Sequence, residues 1–281
     1  MTIKTILASV SGSPADGPVL AAAATVARAF DAYVHAVHPR FDPAAVAKAA
    51  GEAHPKGIIA DLVEQLGHTA DAQAANAKAL TEEICARERL PLVTDSAAPP
   101  PSVQWRIMPG EPGRLAAAGM IADLVVAPRP SDDEPRSRWT FNTLLFDTGR
   151  PMLMPNDAAS DDIFRHVVVS WKPTPQAARA LAFAMPLLAR AASVTVLAAD
   201  EDRPGDLDGV IAYLGEHEVK ADGQRLASSE GGAAATVLRA AQEGSLLVMG
   251  AYGHSRFGEW IFGGFTRTAV RESPIPLLMV H

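Results

Sequence analysis

The chain contains the same unit twice. Ile6-Leu7-Ala8-Ser9-Val10-Ser11 aligns with Val167-Val168-Val169-Ser170-Trp171-Lys172, an offset of 161 that continues without a gap. Pro14 then meets Pro175, Leu20 meets Leu181, and Tyr33-Val34-His35-Ala36-Val37 meets Val194-Thr195-Val196-Leu197-Ala198. Later, Leu124-Val125-Val126-Ala127 meets Leu246-Leu247-Val248-Met249, and Pro151-Met152-Leu153-Met154 meets Pro276-Leu277-Leu278-Met279. Within each copy, near-continuous apolar runs alternate with amphipathic segments. Such runs are strands buried on both faces, as in a parallel sheet with helices above and below. The pattern predicts βαβαβαβαβ twice, an α/β fold of two tandem open parallel five-stranded sheets with helices on both faces. Two domains are expected, 1–156 and 163–281, joined by the polar, acidic stretch Pro155–Asp162. The first is longer by about one helical insertion near residues 40 to 60.

Helical spacing places Val19, Leu20, Ala23, Val26, Ala27 and Phe30 on one face of the first helix. Its counterpart carries Ala177, Leu181, Met185 and Leu188, with Pro186 expected to bend it. A longer helix carries Ile59, Leu62, Val63, Leu66, Ala70, Ala77, Leu80 and Ile84. Cys85 falls on its apolar side and reads as an inert core residue. Because Cys85 is the only cysteine, internal disulfides are excluded and a reducing cytoplasm is expected.

Charge narrows the function classes. With 25 Lys+Arg against 32 Asp+Glu and no basic block, the chain is not expected to bind nucleic acid. No apolar run reaches ~18 residues, so no membrane span is expected, and the N-terminal residues lack a signal-peptide layout.

Ligands of open parallel sheets sit beyond the carboxyl ends of the strands. The fourth strand of the second copy ends at Met249-Gly250 and leads into a loop spaced Gly250-x2-Gly253-x9-Gly263-Gly264, with a helix expected from about Phe265. Glycines let backbone approach a ligand, and N–H groups before a helix N-terminus form an anion site. His254, Ser255 and Arg256 can add a hydroxyl and cationic donors. The same glycines also fit a turn needed only for close packing. The first copy instead has Pro128-Arg-Pro130-Ser-Asp132-Asp133-Glu134, which lacks two N–H donors and adds three carboxylates. No nucleotide is expected there.

This loop, with the following helix and the closing Pro-Ile-Pro-Leu-Leu-Met-Val run, resembles the universal stress protein family. The repeat is similar to its tandem members, and the likeness spans both halves. The resemblance implies a Rossmann-like, adenine-nucleotide alpha-hydrolase-like fold. It further implies that ATP or a related adenine nucleotide, with or without Mg2+, binds the second half as a regulatory ligand. Gly250, Gly253, His254, Ser255, Arg256, Gly263, Gly264, Phe265 and Thr266 would form the phosphate site. Ser170, Trp171 and Lys172 at the first strand end, Leu197 and Ala198 at the second, and Met249 would border base or ribose. Two positions depart from the family pattern. Gly264 stands where the family has Ser or Thr, and Thr266 lies two residues further on. Lys172 and Ser11 stand where nucleotide binders place an Asp, and lysine cannot accept a hydrogen bond. Lys172 is read as a solvated side chain or an attractor of phosphate.

The family pairs domains through the last strand and its flanks, here Met152-Leu153 and Leu277-Leu278-Met279. One chain can satisfy that pairing internally as a pseudo-two-fold, and chains can pair again as a homodimer. The alternative is a tandem stress protein without nucleotide, acting through protein contacts or another small ligand. Catalysis is not expected. Glu259 is the only acid in the loop, which leaves a slow ATPase as the one enzymatic reading.

Other patterns fall short. Gly253-x4-Gly258 is followed by Glu259-Trp260 rather than the Lys-Ser/Thr of a Walker loop. Ser11-Gly12-Ser13-Pro14-Ala15-Asp16 reads as a strand-to-helix turn with Ser13 as the N-cap. His35 and His38 lack the partners of a zinc site and read as surface or strand-end residues. Trp105, Trp139, Trp171 and Trp260 read as packing residues, with Trp171 and Trp260 able to wall the loop.

Overall fold

The computed structural model describes residues 2–43, 56–93, 98–131, 135–156, 162–199, 207–227, 232–251 and 264–281. The first half contributes β1 (Thr5–Ser9), β2 (Tyr33–Arg40), β3 (Leu92–Val93), β4 (Ser102–Pro109), β5 (Leu124–Val126) and β6 (Met152–Met154). Its helices are α1 (Asp16–Phe30), α2 (Lys56–Glu88), α3 (Pro112–Met120) and α4 (Pro135–Phe146). The second half contributes β7 (Val167–Trp171), β8 (Val194–Ala199), β9 (Asp222–Leu226), β10 (Leu246–Gly250) and β11 (Leu277–Val280). Its helices are α5 (Pro175–Leu188), α6 (Leu207–Glu216), α7 (Gly232–Ala241) and α8 (Gly264–Glu272).

The eleven strands among the described residues form one sheet in the order β3-β4-β2-β1-β5-β6-β11-β10-β7-β8-β9. Within each half every neighbouring pair is parallel, as expected of buried apolar strands. The expectation of two five-stranded sheets is corrected in two respects. The first half carries the additional two-residue β3, and the halves fuse through an antiparallel β6–β11 pair. Leu153 faces Leu278 at the centre of that seam, with Met152 opposite Met279 and Met154 opposite Leu277. All six are fully buried. The expected pairing of the last strands is thus made inside the chain. Across the seam, Arg129 Nη2 donates to Ile275 O at 3.1 Å and Asn156 Nδ2 to Pro274 O at 2.7 Å.

Each sheet face has one core that runs through both halves. On one face α1, α2, α5 and α6 cover Ile6, Ala8, Val34, Val167, Val196 and Val248. On the other, α3, α4, α7 and α8 cover Leu7, Val125, Met152, Leu247 and Met249. The first-helix stripe is buried as its spacing predicts, from Val19 to Phe30. In α5, Ala177, Leu181 and Leu188 are buried and Met185 is partly so; Pro186 lies in the last turn, two residues before the end.

Two sequence readings change. Register pairs Ile6 with Val34 and Val167 with Val194, so the second strands align at an offset of 160 rather than 161. Parity explains the slip. A one-residue shift exchanges the two faces of a strand, and Val34 and Ala36 share a core with Val194 and Val196 only at 160. The extra length of the first half resides largely in α2, 33 residues against 10 in α6. Its buried stripe is Ala70, Ala74, Ala77, Thr81, Ile84 and Cys85, whereas Leu62 is exposed. Burial pushes the Cys85 thiol up to about 11, with Glu82 adding to the rise, which leaves it protonated and unreactive at neutral pH.

Candidate functional site

The carboxyl ends of β10, β7 and β8 lie side by side in the second half. Register sets Met249 beside Ser170, Ser170 beside Leu197, and Trp171 beside Ala198. The structure therefore gathers Ser170, Trp171, Leu197, Ala198, Met249 and Gly250 into one row of strand ends. Leu197 and Met249 are buried in the core shared with α7 and α8, and Ala198 in the opposite core. Their side chains pack, so what they bring to the crevice is backbone. Ser170 and Trp171 are half-buried and Lys172 is exposed.

The turn from β7 into α5 is closed by its own groups. Thr174 N–H donates to Lys172 O at 2.7 Å. Thr174 caps the helix, its hydroxyl accepting from Ala177 N–H at 3.2 Å, with Pro175 in the first turn.

Gly250 serves close packing. A Cβ placed there would stand 2.5 Å from Ala177 N, 2.6 Å from Gln176 C and 2.9 Å from Ala177 Cα. The end of β10 thus rests directly on the first turn of α5. The next amide, Ala251 N–H, donates to Val280 O at 2.8 Å, and His281 Nδ1 lies 3.3 Å from Ala251 O. The Ala251 amide is therefore already used within the sheet. Gly253, His254, Ser255, Arg256 and Gly263, together with Glu259 and Trp260, lie outside the described residues. Gly264 begins α8, is exposed, and would meet nothing within 4 Å if given a Cβ. Phe265 packs against the core, and Thr266 is buried on the same helix face as Ala269 and Val270.

Trp171 Nε1, at the end of β7, and Gln176 Oε1, in the first turn of α5, are buried without a hydrogen-bond partner. Gln176 escaped the sequence reading because the motif drew attention to residues after β10, whereas Gln176 enters from the helix that Gly250 contacts. Its position two residues after the cap Thr174 is the signal that would have found it.

The first half is built differently at the same place. Its strand-to-helix turn is held by the carboxylate of Asp16, fully buried at the start of α1. Ser11 N–H donates to Oδ1 at 2.8 Å, Gly12 N–H to Oδ2 at 2.7 Å, and the Ser11 hydroxyl to Oδ1 at 3.0 Å. Burial raises the Asp16 carboxyl above its usual value, with the hydrogen bonds from Ser11, Gly12 and Ser13 opposing the rise. The expected N-cap role of Ser13 is not found. Ala15 is the N-cap without a side-chain bond, because the Asp16 carboxylate folds back onto the turn. Gly12 has φ +88°, and a Cβ on it would lie 2.3 Å from Gln73 O of α2. An internal carboxylate and a helix backbone thus occupy the turn. At the 161 offset the position of Asp16 is held by Ala177 in the second half.

Around this turn, Arg40 pairs with Asp71 at 2.6 Å, while Arg136 donates to Gln73 Oε1 at 3.1 Å and lies over the Phe41 ring. His38 is buried near the end of β2, so of the surface and strand-end readings the second holds. Its Nδ1 donates to Val10 O at 3.0 Å, and its ring stacks near Trp105. Burial, with Arg136 and Arg40 nearby, lowers its pKa against the opposing Val10 bond. Asp132, Asp133 and Glu134 lie outside the described residues. Among the described residues no group of three or more His, Cys, Asp or Glu side chains is placed to hold a metal ion. No described helix is long and apolar enough to cross a membrane.

Comparison with known proteins places this arrangement. No curated protein matches the chain. A universal stress protein from Archaeoglobus fulgidus DSM 4304 shares the fold over 99% of this chain and 96% of its own, with 13% identity and a TM-score of 0.65. A protein of unknown function from Pseudomonas aeruginosa PAO1 does so over 99% and 92%, with 14% identity and a TM-score of 0.56. A universal stress protein solved in complex with cAMP overlays 43% of the chain and 99% of its own, at 16% identity and a TM-score of 0.33, too slight a likeness to carry a ligand across. Residues 163–281 match the model of the Universal stress protein family, and the chain as a whole shares its fold with solved structures that include a universal stress protein.

Proposed function

We propose that the chain is a two-domain stress protein, with units 1–156 and 163–281, in which only the second unit binds an adenine nucleotide as a regulatory ligand. The observation that carries this reading is the place of Gly250, the first glycine of the motif, at the carboxyl ends of β7, β8 and β10, where it seats the strand end on α5. ATP or a close relative is the ligand favoured, with or without Mg2+, its phosphates directed to Gly253–Gly264 and its base toward Trp171 and Ala198. The first unit acts as a structural partner, since Asp16 and Gln73 fill its turn. The seam strands are already paired within the chain, so a homodimer would have to use another surface. A cytoplasmic location accompanies this reading.

A second reading, action through protein contacts without nucleotide, is favoured by one observation: Ala251 N–H is already bonded to Val280 O. Calorimetric titration with ATP, with and without Mg2+, separates the two. Saturable binding that disappears in Gly253→Val supports the nucleotide reading. Absence of heat at millimolar ATP supports the other.

Gly264 gives an independent handle. Gly264→Ser restores the hydroxyl that the family pattern places there, at a position with open space around it. One added hydrogen bond to phosphate is worth about 0.5–1.5 kcal/mol. ATP affinity should therefore rise by about 2–10-fold with thermal stability unchanged. An unchanged dissociation constant would count against phosphate lying at the α8 N-terminus.

A further inference from the structure

The nucleotide reading leaves a chemical gap, because Lys172 replaces the acceptor that would meet an exocyclic amine, and lysine has none to offer. Trp171 at the end of β7 and Gln176 in the first turn of α5 carry groups of the missing kind. Gln176 Oε1 is an acceptor and Trp171 Nε1 a donor, and both are buried with no hydrogen-bond partner. Buried polar atoms are ordinarily satisfied, so a donor and an acceptor left open together mark a place for a complementary ligand.

Their positions converge on Gly250. Trp171 follows Ser170, which pairs with Met249, so Trp171 ends β7 beside the end of β10. Gln176 lies in the first turn of α5, where its carbonyl carbon would stand 2.6 Å from a Cβ on Gly250. The absence of that Cβ is what lets the first turn of α5, which carries Gln176, approach the strand end beside Trp171. The first half has nothing equivalent. At the 161 offset the matching residues are Val10 and Ala15, which carry no polar side-chain atoms.

We propose that Gln176 and Trp171 read the base of the bound nucleotide. Gln176 Oε1 accepts from the exocyclic amine of adenine, and Trp171 Nε1–H donates to an adjacent ring nitrogen. Glutamine is suited to this edge because its amide pairs an acceptor with a donor in one plane. The assignment rests on the nucleotide reading above and names the groups that give it base selectivity.

The test compares ATP with purine riboside triphosphate, which has the same phosphates and ring nitrogens but lacks the exocyclic amine. Wild-type protein should prefer ATP by about tenfold, the worth of one buried hydrogen bond. Gln176→Leu should bind the two ligands equally, with its affinity for the amine-free analogue unchanged. Trp171→Phe, which keeps a ring and loses the donor, should weaken both ligands by the same factor. Melting temperatures close to wild type would show both variants folded. Equal binding of the two ligands by wild type, or a preference that survives in Gln176→Leu, overturns the assignment while leaving nucleotide binding intact. If neither ligand binds wild type, the underlying functional reading falls as well.

Discussion

Gly250→Ala should lower the stability of the protein by about 2–3 kcal/mol, the upper range for overpacking a core. The added methyl would stand 2.5 Å from Ala177 N and 2.6 Å from Gln176 C. Both atoms belong to helix backbone, so no side chain can rotate away, and β10 and α5 must separate. In a protein of this size each kcal/mol moves Tm by about 2–4 °C, so a fall of about 4–12 °C is expected in a thermal melt. Gly264→Ala serves as the control. It adds the same methyl to the same motif, meets nothing within 4 Å, and should stay within about 0.5 kcal/mol of wild type. Equal melting temperatures for wild type and Gly250→Ala would mean that the strand end does not rest on α5 as described.

Leu278→Asp should abolish the native fold. Leu278 is fully buried at the middle of the β6–β11 seam and faces Leu153. Losing a buried leucine side chain costs about 2–5 kcal/mol, and an unpaired carboxylate in the core adds several more. The sum rivals the whole stability of a typical domain, about 5–15 kcal/mol. The expected result is insoluble protein, or soluble protein without a cooperative urea transition. Leu278→Met nearly conserves volume and should cost less than about 1.5 kcal/mol. A cooperative transition for Leu278→Asp near the wild-type midpoint would show that the seam does not join the two cores.

The repeat made most of the fold legible. Apolar strands flanked by amphipathic segments can bury both faces only in a parallel sheet covered on both sides, and that is the arrangement found. What the repeat could not convey was the edge where β6 meets β11, because pairing between halves leaves no periodic mark beyond the apolar residues already assigned to each strand. The one-residue slip at β2 and β8 was hidden for a related reason. Val, Ala and Leu populate both faces of a doubly covered strand, so sequence alone does not reveal its parity. Leu62 was misplaced because periodicity continues along α2 beyond the point where it contacts the sheet.

The site was legible in part. The strand-end row containing Ser170, Leu197 and Met249 follows from topology. The packing role of Gly250 was one of two readings open in the sequence, and the contact with α5 supplies the reason for it. Asp16 was invisible as a turn ligand, since nothing in Ser-Gly-Ser-Pro-Ala-Asp indicates that the carboxylate folds back over five residues to reach Ser11 N–H. Gln176 was missed because its significance depends on an approach between α5 and β10 that no local pattern encodes.

The asymmetry between the halves is the central claim, and the stoichiometry of ATP binding tests it most directly. Calorimetry of the full chain should give one site per chain, lost in Gly253→Val. Two sites per chain, or one site that persists in Gly253→Val, would contradict the assignment of the ligand to the second half.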